Sequence, residues 1–411
     1  MASNSYRIIN RFIIASAPLL RSIIKLIRGK SSARALPKWA TTFIHFLRKS
    51  YYARKIINFT GLNLEHFFSI YPIKIPDITV QPDLDFLVLE LPPRYMPFMP
   101  NGIGYLDNIL KDVGVRYQII DANIVFYHQY HSKRVLKNLD PVVTPDGYEM
   151  PKDPWTPGTV EEWGRPEVLE YFMPPIEEIL RQITENPPKA IGLSVHGNNR
   201  PLSKLFVKSI RERLPDVVIV VGGYDCVYHD IGPKIFPDFD YMFINEADLT
   251  LGPFIKGLAA RKRQKDLPGV VSRFDSPGRK WVETPLLEDL DSAGFPDYEW
   301  STIELYMDFT GNQTVPITST RGCKWGKCRF CGECFPFRKR TPCNVVDEIE
   351  HFARRNFNNF HFNDSDVNGE PQLLFDICSE IIRRNLDVRL MGQLRIDKKN
   401  TKKHFQLLGD A

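Results

Sequence analysis

Along most of this sequence, short apolar runs rich in β-branched residues alternate with stretches whose apolar residues recur at helical spacing. The runs have the length of single strands, and their apolar residues are consecutive rather than at every second position. Such a strand is buried on both faces, which requires helices on both sides of a parallel sheet. The pattern therefore predicts an α/β fold with a doubly wound, Rossmann-like parallel sheet. Its clearest strands are DFLVLELPP from Asp85, KAIGLSVHGN from Lys189 and VVIVVGG from Val217.

The chain of 411 residues is long enough for two domains, each with a core of its own. The strand–helix alternation fills residues 76–275, stops at a linker over 276–310 and resumes at 311–411 with three β/α units. A polar and proline-rich insertion at about 134–175 interrupts the first of these regions. Because it is too long for an ordinary turn, we expect a functional flap or a peripheral excursion there.

Residues 1–75 differ from the rest and are predicted to be a basic helical segment. Between Met1 and Leu64 there are twelve lysines or arginines and no acidic residue, so the net charge of +5 leaves about −7 for the remainder. Basic residues interrupt the apolar positions too often for a membrane span, and a secretory cleavage site is missing. Three interpretations stay open: a basic cap on the next domain, a peripheral contact with an anionic membrane, or an organelle-targeting peptide. Nucleic-acid binding is disfavoured, because the basic bias stops before the folded part begins.

Ligands of a doubly wound sheet sit at the carboxyl ends of its strands. In this sequence those ends read ELPP, SVHGNN, GGYD and NEAD. Gly222 and Gly223 either let a bulky ligand approach the backbone or only form a tight turn. His196 either faces the crevice at this edge or is a hydrogen-bonded structural histidine.

Five of the seven cysteines lie between Cys323 and Cys343, in the stretch RGCKWGKCRFCGEC and just after it. This clustering is unlike a disulfide framework spread along a secreted chain, so a reducing cytoplasmic location is expected. A redox pair, a structural zinc site and an iron–sulfur cluster are the alternatives. Closely spaced thiols on one loop after a strand, with an aromatic residue before the third, favour the cluster.

The stretch TSTRGCKWGKCRFC resembles the cluster loop of the radical S-adenosylmethionine (SAM) superfamily, whose usual spacing is C-x3-C-x-aromatic-C. The resemblance implies that Cys323, Cys328 and Cys331 hold a [4Fe–4S] cluster and that Phe330 is the aromatic residue at the SAM site. This sequence has one more residue between the first two cysteines. Cys334 is then a bystander, or the ligand in place of Cys331, and the role of Cys343 stays undetermined.

The order of a doubly wound domain, a linker with GFPDYEW and then STRGC is similar to the branch with an amino-terminal cobalamin-binding domain. NEADLTL corresponds to the glycine- and glutamate-rich turn of that domain. The sequence lacks the Asp-x-His-x-x-Gly signature of domains that ligate cobalt through histidine, and has PPRYMPFMPNGIG after its first strand. The resemblance implies cobalamin as a second cofactor, with these candidate contacts: Ser194, His196, Gly222, Gly223 and Glu246.

The same resemblance implies that SAM is held at the carboxyl ends of the next strands. The second of them ends in HFNDSD, which makes Asn363, Asp364 and Asp366 candidates, with a solvated turn as the alternative. The third reads VRLMGQLRID. Alternation along a strand would put Gln393 and Arg395 on one face, where Arg395 either binds the SAM carboxylate or forms an ordinary salt bridge.

The activity implied by the resemblance is reductive cleavage of SAM to a 5′-deoxyadenosyl radical, with methyl transfer by way of cobalamin or related chemistry on an unactivated carbon. An electron donor such as flavodoxin or ferredoxin is implied, and Arg321 and Lys327 would raise the positive potential around the anionic cluster. No catalytic side chain is identified, and the substrate is predicted only as a small molecule or lipid. Because such a barrel needs about six strands, the three units present predict a fragment or a truncated product, with closure of the barrel by a partner as an alternative. The alternative function is a non-catalytic zinc-binding protein or an inactive remnant.

Overall fold

The computed structural model describes residues 69–395 and 401–411, except residues 138, 140, 297 and 334. The predicted basic segment therefore lies almost entirely outside the described residues, as does Cys334. Over the part of the chain that is described, no helix combines the length and the apolar content needed to cross a membrane.

The first region contains a six-stranded sheet with the spatial order β2-β1-β3-β4-β5-β6. The strands from β1 to β5 pair in parallel, and β6 pairs antiparallel with β5 at one edge. Thus β2 lies on one side of β1, and the strands from β3 to β6 follow in order on its other side. The strands are β1 (Phe86–Glu90), β2 (Tyr117–Asp121), β3 (Ala190–Ser194), β4 (Val218–Gly222), β5 (Tyr241–Phe243) and β6 (Val270–Ser272).

Helices cover both faces of this sheet, as the consecutive apolar residues of its strands require. Along β1, Phe86 and Val88 pack into one apolar cluster while Leu87 and Leu89 pack into another. The doubly wound parallel sheet is therefore confirmed. The helices of this region are α1 (Asn101–Val113), α2 (Ala122–Leu136), α3 (Pro166–Glu185), α4 (Arg200–Arg213), α5 (Gly232–Ile235) and α6 (Leu251–Ala259).

Local sequence signals set several of these boundaries. The Asp121 side chain accepts a hydrogen bond from the backbone N–H of Ile124 at 3.2 Å and so caps the start of α2. Helix α1 ends before Gly114, whose φ of +73° is a left-handed conformation that glycine adopts without strain. Proline occupies the first turn of α3 and α4, where a missing N–H group is not needed.

The insertion at 134–175, predicted to be a functional flap or a peripheral excursion, contributes aromatic side chains to the core and so is not a peripheral excursion, whereas the flap stays a prediction. Trp155 and Trp163 are fully buried. The Trp163 ring stacks on Phe172 with a centroid distance of 4.5 Å. The prediction of an excursion was wrong because polar and proline-rich residues separate these aromatic side chains in sequence, whereas the fold gathers them over one sheet face.

The second region repeats the pattern with a three-stranded parallel sheet of order β11-β10-β7. A short antiparallel pair, β8 with β9, follows β7. The third strand ends at Met391, so the alternation expected to align Gln393 with Arg395 does not apply to them. The elements are β7 (Val315–Ile317), β8 (Thr320–Arg321), β9 (Arg338–Lys339), α7 (Pro342–Ala353), β10 (Asn359–Phe362), α8 (Pro371–Arg383), β11 (Arg389–Met391) and α9 (Lys402–Asp410).

The two regions share one apolar core and several polar contacts. The cluster that contains Leu87 continues to Ile317 and Phe360 in the second region. The loop after β1 also forms an isolated parallel bridge between Phe98 and Thr314, immediately before β7. The chain therefore places the loop after β1 next to the start of β7.

Candidate functional site

A cavity of about 410 Å³ lies between the carboxyl edge of the six-stranded sheet and the second region. The first region contributes the ends of β3 and β4, the start of α1 and the turn after β5. The second region contributes the segments around β8 and β10. Predicted residues in this wall are Ser194, Gly222, Gly223, Glu246, Arg321 and Asn363.

The two adjacent glycines have different roles. Gly223 has φ of +102°, and a Cβ there would lie 2.7 Å from the carbonyl oxygen of Val195, so the turn itself requires glycine. A Cβ at Gly222 would meet only the Cβ of Phe243, at 3.9 Å. Gly222 therefore leaves open space toward the cavity, and Gly102 across it has no neighbour within 4 Å of its Cβ position.

His196 is not part of the cavity wall. Its Nε2 lies 3.6 Å from Oε1 of Glu90, and Glu90 is 1% exposed at the end of β1. The backbone N–H of His196 donates to Oδ1 of Asn199 at 2.9 Å. The sequence therefore located this histidine at the correct edge of the sheet but not against the cavity.

Glu246 binds two arginines from the second region. Arg321 Nη1 donates to its Oε2 at 3.0 Å, and Arg338 Nη1 donates to the same oxygen at 2.9 Å. Asp248 completes the group, because its two oxygens lie 2.9 and 3.1 Å from the guanidinium of Arg321. Burial alone would lower the pKa of Arg321, but the hydrogen bond and charge of Asp248, together with Glu246, raise it above its usual value.

The cysteine loop, residues 322–336, leaves β8 and returns into β9. Its base is closed by Gly322, where a Cβ would lie 2.4 Å from the carbonyl oxygen of Phe335. Cys323 is half-buried, Cys328 and Cys331 are exposed, and all three are free thiols. A turn joins the last two, since Cys331 N–H donates to the carbonyl oxygen of Cys328 at 3.2 Å.

Asp364 supports the start of this loop. Its Oδ1 accepts the backbone N–H groups of Ser319 and Thr320 at 2.8 and 3.0 Å, and its Oδ2 accepts the Ser319 hydroxyl. Burial raises the pKa of this carboxyl to about 6, although the hydrogen bonds act in the other direction. Its two oxygens, expected to face a ligand, are therefore bound to the turn that precedes the cysteines.

Asp366 and Arg395 form an ion pair beside the loop, with Arg395 Nε 3.1 Å from Oδ2 of Asp366. The guanidinium of Arg395 also lies over the Trp325 ring, 4.7 Å from its centroid, and Lys327 Nζ lies 5.3 Å from that centroid. Oδ1 of Asp366 is buried and accepts no hydrogen bond from the described residues. The salt bridge that the sequence analysis allowed for Arg395 is thus present, together with one buried acceptor atom.

The other predicted residues lie around this group. Gln393 is exposed and its carbonyl oxygen accepts the N–H of Val367 at 3.1 Å. Phe330 is 93% exposed at the tip of the loop. Cys343 is exposed in the first turn of α7, outside the loop.

The donor chemistry of the loop fits an iron–sulfur cluster. Three free thiols lie on one loop, and thiolates are the ligands that such clusters use. Among the described residues, no three His, Cys, Asp or Glu side chains are already assembled as a metal site. The cavity fits a larger organic group, because glycine and apolar residues leave space in its wall.

Sequence reasoning did not identify Asp248 or Arg338. Asp248 follows Glu246 by two residues in NEAD, and that spacing was a usable signal at the end of a predicted strand. No such signal marks Arg338. It is one of several basic residues after the cysteines, and only the pairing of β8 with β9 distinguishes it from the others.

The sequence is similar to characterised enzymes over part of their length. It is 27% identical over 230 residues to the anaerobic magnesium-protoporphyrin IX monomethyl ester cyclase of Synechocystis sp., which covers 54% of this chain and 45% of that protein. It is 21% identical over 326 residues to the cytidylyl-2-hydroxyethylphosphonate methyltransferase of Streptomyces wedmorensis. That alignment covers 71% of this chain and 54% of the methyltransferase. The chain thus spans about half the length of these relatives. A scan against models of known families gives no match.

Solved structures share the fold at low sequence identity. The cobalamin-dependent SAM radical enzyme OxsB, solved with aqua-cobalamin and SAM bound, aligns with a TM-score of 0.56 and 16% identity, over 80% of this chain and 42% of that one. The radical SAM methyltransferase TsrM of Kitasatospora setae, solved with tryptophan and a SAM analogue, aligns with a TM-score of 0.53 and 16% identity. The alignment covers 79% of this chain and 57% of that one. Together with the cysteine loop and the doubly wound sheet, these similarities show that the chain has the fold of cobalamin-dependent radical SAM enzymes and is similar to proteins of that branch.

Proposed function

We propose that this chain provides the cofactor-binding parts of a radical SAM enzyme that acts on an unactivated carbon of a small-molecule or lipid substrate. Cys323, Cys328 and Cys331 hold a [4Fe–4S] cluster, and the cavity holds cobalamin. When bound, the cluster supplies the electron that cleaves SAM, and cobalamin supplies a carrier for a methyl group. An electron carrier of the flavodoxin or ferredoxin type is the partner that this chemistry needs.

One observation carries the proposal: the loop with three free thiols begins and ends in the wall of the cavity. Gly322 at its start and Phe335 near its end both line the cavity, as do Gly222 and Ser194 of the first region. A ligand of the thiols and a ligand of the cavity would therefore be neighbours. A zinc site that only stabilises the fold would have no need of this position.

The residues of the chain would prepare the site in distinct ways. Asp364 fixes the turn before Cys323, and Gly322 lets the two ends of the loop approach. Arg321 and Lys327 carry positive charge near the position of an anionic cluster, and Arg321 is also paired with Glu246 and Asp248. These polar contacts give the exposed thiols a fixed base.

SAM would contact residues at the ends of β10 and β11. One oxygen of Asp366 accepts no hydrogen bond from the described residues, and Arg395, which pairs with the other, carries the positive charge that a carboxylate needs. Asn363, Gln393 and Phe330 complete the proposed set. In the first region, Ser194 offers a hydroxyl and Gly222 offers space to cobalamin, next to Gly223 and Glu246.

Anaerobic reconstitution with iron and sulfide tests the cysteine assignment. The full chain should become brown with about four irons, and should form methionine and 5′-deoxyadenosine from SAM under reduction. Replacing Cys323, Cys328 or Cys331 by serine should abolish the chromophore, because each serine removes a thiolate ligand. Cys343→Ser is the matched control and should keep the full iron content, since that thiol lies outside the loop. Colourless protein with stoichiometric zinc, or iron loss only in Cys343→Ser, would reject the proposal.

A further inference from the structure

We infer that Glu246 is a positioning residue for the cysteine loop, and that it acts by neutralising two arginines that face each other across the base of that loop. Arg321 on β8 and Arg338 on β9 are direct cross-strand partners in the antiparallel pair. Glu246 belongs to the first region, so the contact also ties the loop to the other side of the cavity. This role differs from contact with a cofactor.

Like charges directly opposite each other destabilise an antiparallel pair. The Glu246 carboxylate removes that repulsion, because one of its oxygens accepts from both guanidinium groups, at 3.0 and 2.9 Å. The Arg338 side chain is only 6% exposed, so water cannot replace the carboxylate there. The closed base of the loop therefore depends on a charge supplied by the first region.

Asp248 does not provide the same bridge. It binds Arg321 through both oxygens but forms no hydrogen bond or ion pair with Arg338 among the described residues. Besides Glu246, Arg338 donates to the carbonyl oxygens of Leu287, at 2.7 Å, and Pro336, at 3.4 Å. Removing the charge of Asp248 leaves both arginines with a carboxylate partner, whereas removing the charge of Glu246 leaves Arg338 with none.

This pair of acids gives a matched comparison. Both line the cavity, lie two residues apart and have side chains that are 14% and 15% exposed. Glu246→Gln and Asp248→Asn each remove one negative charge with little change in shape. A difference between the two variants therefore reports the bridge and not the lost charge alone.

The first measurement is hydrogen exchange, followed by mass spectrometry, on the full chain without iron. Peptides over residues 318–322 and 336–341 contain the β8–β9 pairing and the bond from Arg340 N–H to the carbonyl oxygen of Ser319. We expect Glu246→Gln to exchange about tenfold faster than wild type in these peptides, and Asp248→Asn less than about threefold faster. Equal rates in the two variants would overturn the inference.

A rescue separates neutralisation from general packing. In the double variant Glu246→Gln/Arg338→Gln the repelling charge is gone, so exchange should return to within about threefold of wild type. If Glu246 only filled space, the double variant would exchange as fast as Glu246→Gln or faster, and the inference would fail.

The consequence for the cluster rests on the proposed function. After reconstitution, Glu246→Gln should lose iron to a chelator about tenfold faster than Asp248→Asn, because the loop base opens more often. Equal loss rates in the two variants would contradict this extension. If the wild-type chain takes up no iron at all, the proposed function fails, while the exchange comparison still decides the role of Glu246.

Discussion

At the scale of single residues, His128 shows how burial can set a protonation state away from the candidate site. Its Nδ1 accepts the Tyr71 hydroxyl at 2.8 Å, and its Nε2 donates to the carbonyl oxygen of Leu305 at 2.7 Å. The side chain is fully buried on α2, and burial lowers its pKa from 6.5 to about 4. The neutral ring thus joins α2 to two separate segments of the chain.

This histidine should make folding sensitive to acid. Because the folded pKa lies below the unfolded value, the unfolded chain binds the proton first as the pH falls below 6.5. The stabilising contribution is therefore complete above pH 6.5 and is lost as the pH falls toward 4. Compared with His128→Gln, the wild type should lose about 2 kcal/mol of unfolding free energy between pH 7 and pH 5. Urea unfolding at both pH values measures this, and parallel losses in the two proteins would contradict it.

The sequence indicated residue types better than it indicated their partners. Cys323, Cys328 and Cys331 were identified from spacing, which is a local property. Asp364 was expected at a ligand because it follows a strand, but the turn at residues 318–320 supplies hydrogen-bond donors to both of its oxygens. That turn and Asp364 are far apart in sequence, so no local pattern could reveal the contact.

At the scale of elements, the end of β4 carries two glycines with separable functions. Gly223 is required by its backbone conformation, whereas Gly222 only leaves space in the cavity wall. The sequence left both interpretations open for both residues. The two roles are distinguished by the φ angle of Gly223 and by the position of Val195 beside it. Two adjacent glycines in a sequence reveal neither.

A side chain at Gly222 should therefore block the cavity without unfolding the protein. In Gly222→Leu, hydroxocobalamin binding measured by absorbance should weaken at least about tenfold, because the leucine occupies the open space. The urea midpoint should stay at the wild-type value. Gly158→Leu is the control, since its Cβ position is equally open and lies outside the cavity wall. Unchanged binding in Gly222→Leu would show that this cavity is not the cobalamin site.

The strands and helices themselves were largely predictable, because burial on both faces leaves consecutive apolar residues in each parallel strand. The insertion was not. Trp155 and Trp163 contribute to the core from a stretch whose prolines and charges indicated exposure. Composition describes a whole stretch, whereas only some of its side chains, here the two tryptophans, pack into the core.

At the scale of the whole molecule, the two regions are joined by an apolar cluster that extends from Leu87 to Phe360. Tyr306, just before the second sheet, donates its hydroxyl to Asp121 at 3.0 Å. Asn101 at the start of α1 also donates to the Thr318 hydroxyl at 2.8 Å. These contacts connect the first region to the linker and to the second region.

We therefore expect the two regions to unfold together. In a variant whose other four tryptophans (Trp39, Trp281, Trp300 and Trp325) are replaced by phenylalanine, fluorescence of the buried Trp155 and Trp163 reports the first region, while far-ultraviolet circular dichroism reports both. In urea the two signals should change at the same midpoint in a single transition, as for a cooperative unit. Two transitions with separate midpoints would show that the shared core does not couple the regions.

The cysteine loop is held at its base and exposed over residues 324–332. Gly322, Asp364 and the paired strands β8 and β9 determine where it starts and returns, whereas its outer arc is exposed to solvent. An added residue lengthens that exposed arc. The four residues between Cys323 and Cys328, where three are usual in the superfamily, are thus a change that this architecture tolerates at small energetic cost.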